Sequence, residues 1–66
     1  MEKLPPKANL RVKEVADFLD VSTSVVYMMI NDGVFPSIRI GYHKRVPRDL
    51  FLAWYSRQIE HVQASL

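Results

Sequence analysis

VKEVADFLDVSTSVVYMMINDG, Val12 to Gly33, carries two helical stripes with almost nothing between them. Val12, Val15, Ala16 and Leu19 recur at i, i+3, i+4 and i+7, the spacing that puts apolar side chains on one face of an α-helix. After the short link Asp20-Val21, Ser22 offers a hydroxyl to the free N–H groups of a second helix, whose inward face is Val25, Val26, Met29 and Ile30. Gly33 suits a left-handed stop. The opposite face of this second helix is Ser24, Tyr27, Met28 and Asn31, with Thr23 near its start; these side chains point outward. The stretch from Asp20 to Gly33 holds two acids and no lysine or arginine.

Working outward, the period changes to two after Gly33. Ile38 and Ile40 fall on one side of an extended segment and Arg39 on the other, followed by Gly41-Tyr42-His43-Lys44 and then Arg45-Val46. This predicts a short hairpin with Gly41 at its tip and basic groups projecting from it. Pro47 then suits the first turn of a third helix, Asp49 sits near that helix's positive end, and Phe51, Trp54, Tyr55 and Ile59 form a bulky inner stripe. The Gln63-Ala64-Ser65 end is predicted to fray. Residues 1–9, with the pair Pro5-Pro6, read as an extended arm; 10–62 form the domain and 63–66 a tail. The architecture is mainly α with a small β-hairpin: helix, tight turn, helix, two-stranded wing, C-terminal helix, which is a winged helix-turn-helix.

The 66 residues allow one domain with a small core. With no cysteine there is no disulfide framework and no thiolate zinc site. The run Val25–Ile30 is far short of the roughly 20 apolar residues that span a bilayer, and the first ten residues lack the apolar core of a signal peptide. A soluble cytoplasmic protein with no membrane partner is expected. Although the net charge is only +2, its distribution is uneven: Ser37–Arg48 contains Arg39, Lys44, Arg45 and Arg48, together with His43, and no acid.

Particular residues carry a resemblance. Lys13–Ala16 with Leu19, Val21 and Ser22; Val26, Tyr27, Ile30 and Gly33; Pro36, Arg39, Ile40 and Gly41; Arg45–Pro47; and Ala53-Trp54 follow one another at short, consistent spacing. Over Leu10 to about Arg57 the chain resembles the excisionase-family DNA-binding domain, related to the winged helix of MerR-type regulators and to AlpA-type phage regulators. The resemblance implies a bacterial or phage-encoded protein that lays its second helix in the major groove of double-stranded DNA and its wing along the backbone or minor groove. It also implies cooperative binding to repeated sites, bending, and direction of a recombinase (integrase) toward excision; the same module serves as a transcription regulator. The chain departs from the family pattern where arginine is usual (Thr23, Met28 and Asn31), where a large wing aromatic is usual (Lys44), and where the third helix usually has an acid (Leu52).

The candidate recognition-helix residues are Ser22, Thr23, Ser24, Tyr27, Met28 and Asn31. An asparagine can pair with adenine N6 and N7, and Thr23 or Met28 can touch a thymine methyl. Each has a structural alternative: Ser22 caps the helix, Tyr27 packs its ring on the first helix, Asn31 favours the exit turn. The candidate wing residues are Arg39, Tyr42, His43, Lys44 and Arg45, a cationic ribbon suited to phosphates or a narrow minor groove; alternatively these charges only deter edge pairing. Leu50 and Leu52 on the third helix are candidate contacts for a neighbouring copy or a recombinase, or else isolated exposed leucines. No metal site is expected, since His61, the other histidine, is remote in sequence from His43. Nor does the sequence show a catalytic constellation, a cofactor motif or room for a small-molecule substrate. A protein-docking winged-helix module, with the uncharged helix face meeting a protein, is the alternative outside the DNA-binding class.

Overall fold

The computed structural model describes residues 4–65, with side chains described for 4–60. The elements run β1 (Asn9–Arg11), α1 (Val12–Leu19), α2 (Thr23–Asn31), β2 (Ile38–Ile40), β3 (His43–Pro47) and α3 (Arg48–Ser65). This is a mainly helical domain with a small antiparallel sheet, a winged helix-turn-helix.

The sheet has three strands in the order β1-β3-β2, one more than the sequence predicts. Leu10 lies opposite Val46, and both are fully buried. A three-residue strand has no periodicity of its own; pairing with β3 creates it. The arm assigned to residues 1–9 also does more than extend. Leu4 packs into the core, Arg48 Nε donates to the Pro5 carbonyl at 3.0 Å, and the Arg48 N–H donates to the Ala8 carbonyl at 2.8 Å. Residues 1–3 lie outside the described residues. Because Pro47 is paired with Asn9 in the sheet, α3 starts one residue later than predicted, at Arg48.

Both helices of the helix-turn-helix end in the same way. At the end of α1 the Val21 N–H donates to Ala16 O at 3.0 Å and the Asp20 N–H to Asp17 O at 3.3 Å; at the end of α2 the Val34 N–H donates to Met29 O at 3.0 Å and the Gly33 N–H to Ile30 O at 3.1 Å. Each pair forms a Schellman motif, which needs a left-handed residue. Gly33 supplies it at φ 71°, as expected. In α1 the role falls to Asp20, at φ 58° and ψ 47°, an acid in a conformation that favours glycine. This turn sets the angle between α1 and α2.

Every buried residue among those described is apolar. Val12, Val15 and Ala16 of α1 meet Val26 and Ile30 of α2, and Phe51 closes the cluster from α3. Phe51 is the centre of an aromatic group, with ring centroids 5.7 Å from Phe18, 5.3 Å from Phe35, 5.7 Å from Trp54 and 6.4 Å from Tyr55. Of the predicted inner stripe of α3, Phe51 is buried, Trp54 and Tyr55 are half-buried, and Ile59 is exposed because α3 has run past the end of the core.

Candidate nucleic-acid interface

Burial of Val26 and Ile30 fixes the rotation of α2 and leaves Thr23, Ser24, Tyr27, Met28 and Asn31 exposed on its other side. Ser22 is the N-cap: its Oγ accepts the Val25 N–H at 3.3 Å. That contact satisfies one of the orphan donors of the first turn, while the other free N–H groups remain at the exposed start of the helix.

The wing turns through two residues, since Ile40 pairs with His43. Gly41, the first of them, has φ 62°, the positive value that a type II′ hairpin requires at that position. Tyr42 beside it is 92% exposed. Residues directly opposite across a ladder share a face, so the register divides the wing's charges. Arg39 lies opposite Lys44, on the same inner face as Val46, whereas His43 and Arg45 lie on the outer face with Ile40 and Ile38. The two isoleucines, apolar in an otherwise polar ribbon, therefore point to solvent and not to the core; Ile38 is 42% and Ile40 53% exposed.

The inner face is the one that meets α2. Lys44 Nζ donates to Asn31 Oδ1 at 3.0 Å, joining the last residue of α2 to the second residue of β3. The ammonium also supplies positive charge at the C-terminal end of α2, which has no basic residue in its last turn. Arg39 Nε donates to the Gly41 carbonyl at 3.0 Å, and an Arg45 guanidinium N–H to the Lys44 carbonyl at 2.9 Å. Among the described residues the ion pairs are Lys7–Glu14 at 2.9 Å and Lys13–Asp17 at 3.6 Å, and neither involves the wing. Among the described residues its cations stand without carboxylate partners.

The structure adds Arg11, which sequence periodicity does not single out. As part of β1 it lies directly opposite Arg45 on the outer face, two like charges on adjacent strands. Its only signal in the sequence was its basic side chain; the pairing that gives it a neighbour comes from tertiary structure. The two leucines of α3 separate. Leu50 is 52% exposed, but Leu52, about 200° away around the helix, is half-buried against the core. They do not form one patch. The side chain of His61 lies outside the described residues.

A family model for a helix-turn-helix domain matches residues 10–59. The chain belongs to this helix-turn-helix family. The family is that of excisionase- and AlpA-like DNA-binding domains. No curated protein and no solved structure matches the chain. Within this helix-turn-helix, Asn31 and Lys44, two positions expected from the resemblance to differ from the usual pattern, are joined by the hydrogen bond between α2 and the wing.

Proposed function

We propose that this helix-turn-helix protein binds double-stranded DNA sequence-specifically, with α2 in the major groove and the wing on the backbone or in the minor groove, and acts as the excisionase of a phage or mobile element. The observation that carries the reading is the continuity of one surface. The neutral face of α2, from Ser22 and Thr23 through Ser24, Tyr27 and Met28 to Asn31, runs directly into the inner face of the wing at Lys44 and Arg39. Short polar groups and a thioether suit base edges and thymine methyls, and cations with no carboxylate partner among the described residues suit phosphates.

The two faces of the wing extend this. A ribbon with Arg39 on one side, His43 and Arg45 on the other, and Tyr42 at the tip offers cations to both backbones that flank a minor groove, while Lys44, bonded to Asn31, stands beside the groove that α2 enters. A single domain this small holds one site weakly. Occupation of several sites, with contacts to a neighbouring copy or a recombinase through the exposed Leu50, offsets a bending cost of about 1–6 kcal/mol. No enzymatic activity and no cofactor enter this reading.

A DNase I footprint across the element's attachment region, at low salt, tests it. Several protected sites spaced by whole helical turns, with enhanced cleavage between them, are expected. A lone protected site over a promoter would instead make the protein an AlpA-type regulator. Absence of protection on any duplex at low salt would overturn DNA binding and leave the protein-docking module.

A further inference from the structure

We propose that Lys44 determines specificity by positioning Asn31, and that the pair makes the C-terminal end of α2 a reader of guanine. The inference rests on the DNA-binding reading above and goes beyond it. An asparagine amide has an acceptor end and a donor end, and the bidentate contact with adenine needs both: Oδ1 takes the N6 amino proton while Nδ2 donates to N7. In this protein the acceptor end is already engaged. Lys44 Nζ donates to Asn31 Oδ1 at 3.0 Å, so the amide is held with its NH2 group on the free side.

What remains exposed is a row of donors. Asn31 contributes two N–H groups, and the ammonium, with three protons of which one is committed, contributes two more. Guanine presents acceptors at both O6 and N7 in the major groove, which matches this row. The exocyclic amino groups of adenine and cytosine bring donors against donors, beside a full positive charge.

The geometry is held from both sides. Asn31 is the last residue of α2 and next to Ile30, which lies buried about one turn after the buried Val26. Lys44 is half-buried on the inner face of β3, two residues from the fully buried Val46 and laterally opposite Arg39. Neither side chain is core, and no carboxylate among the described residues competes for the ammonium. Lys44 is thus a positioning residue as well as a charge, and its loss should change which base is preferred, not only how tightly DNA is held.

Selection from a randomised duplex followed by affinity measurements on single-base variants tests this with the full chain. Three variants are compared with wild type: Lys44→Gln, which keeps a donor without the charge; Lys44→Met, which keeps the stem and has neither; and Asn31→Ala. Lys44→Gln and Lys44→Met lose the same charge, so a difference in base preference between them comes from side-chain hydrogen bonding and not from the charge.

Wild type is expected to prefer guanine at one position by about tenfold. Lys44→Gln should keep that preference, Lys44→Met should move it toward adenine, and Asn31→Ala should erase it. If wild type prefers adenine there, or if Lys44→Met keeps the wild-type preference at every position while Asn31→Ala loses it, the inference is overturned and the DNA-binding reading stands. Failure of wild type to bind any duplex at low salt overturns both.

Discussion

The wing's contribution to DNA affinity can be worked out from the register of its two strands. Arg39 is on the inner face and Arg45 on the outer, and neither has a carboxylate partner among the described residues. If both meet phosphates, each contributes about −0.9 to the slope of log K against log salt. A rise from about 50 to about 200 mM salt spans roughly 0.6 log units, so the two contacts together account for about 1.1 log units, roughly a 12-fold loss of affinity. Arg39→Gln/Arg45→Gln should lose about 12-fold less than wild type over that range, and each single variant about 3.5-fold less. Fluorescence anisotropy of a labelled duplex, titrated at several KCl concentrations, reads the slopes directly. Because Arg39 also donates to the Gly41 carbonyl, circular dichroism must first show that the hairpin variants fold. Slopes for wild type and the double variant that agree within about 0.3 would refute the phosphate assignment. A change with Arg39→Gln but not with Arg45→Gln would mean that the wing lies flat on its inner face and does not enter a groove.

Three further outcomes follow from the fold. Phe51→Ala removes a fully buried ring that touches four other aromatics and should cost about 3–5 kcal/mol, against a total of roughly 3–10 kcal/mol for a domain this size; urea titration should find the variant largely unfolded at 25 °C. A β-branched residue is strained at the left-handed position of Asp20, so Asp20→Val should lower the melting temperature by roughly 5–15 °C, whereas Asp20→Gly should leave it unchanged or raise it slightly; equal losses in both would sink the argument. The Glu14 carboxyl accepts the Arg11 N–H at 2.7 Å and pairs with Lys7, and these contacts, the backbone one foremost, hold its pKa below the ordinary glutamate value. A folded-state pKa below the unfolded one gives stability that is present above the unfolded value and lost as pH falls through the folded one. Wild type should therefore exceed Glu14→Gln in stability at neutral pH, with the gap closing on acidification below about pH 4.5; a gap that stays constant to about pH 2 would contradict it.

The parts of the fold that were legible in the sequence are those with enough length to show a period. The stripes of α1 and α2, the Ser22 cap, the Gly33 stop and the hairpin around Gly41 each depend on residues within a few positions of one another. What was not legible depends on pairing at a distance. Strand β1 exists because Leu10 meets Val46, and Leu4 and Phe35 enter the core because α3 arrives beside them; none of these has a local pattern. In sequence Asp20 looks like a plain link, because an acid in the left-handed region gives no signal of its own, unlike the glycine that does the same work at the end of α2.

The same division explains the charge of the candidate site. Taken alone, α2 has an exposed face without a single cation, an odd composition for a helix that lies against phosphates. In the folded chain its last residue is within hydrogen-bond reach of Lys44, which comes from a strand 13 residues further on. The positive charge that α2 lacks is thus supplied laterally, from a ribbon whose register fixes the strand position of Lys44. A cation on α2 itself would swing on a flexible stem at the groove floor, whereas Lys44 is tied to the amide it orients. On the proposed reading affinity and base choice share one residue, and this sharing makes the response to Lys44→Gln against Lys44→Met a sharper test of the site than the loss of either group alone.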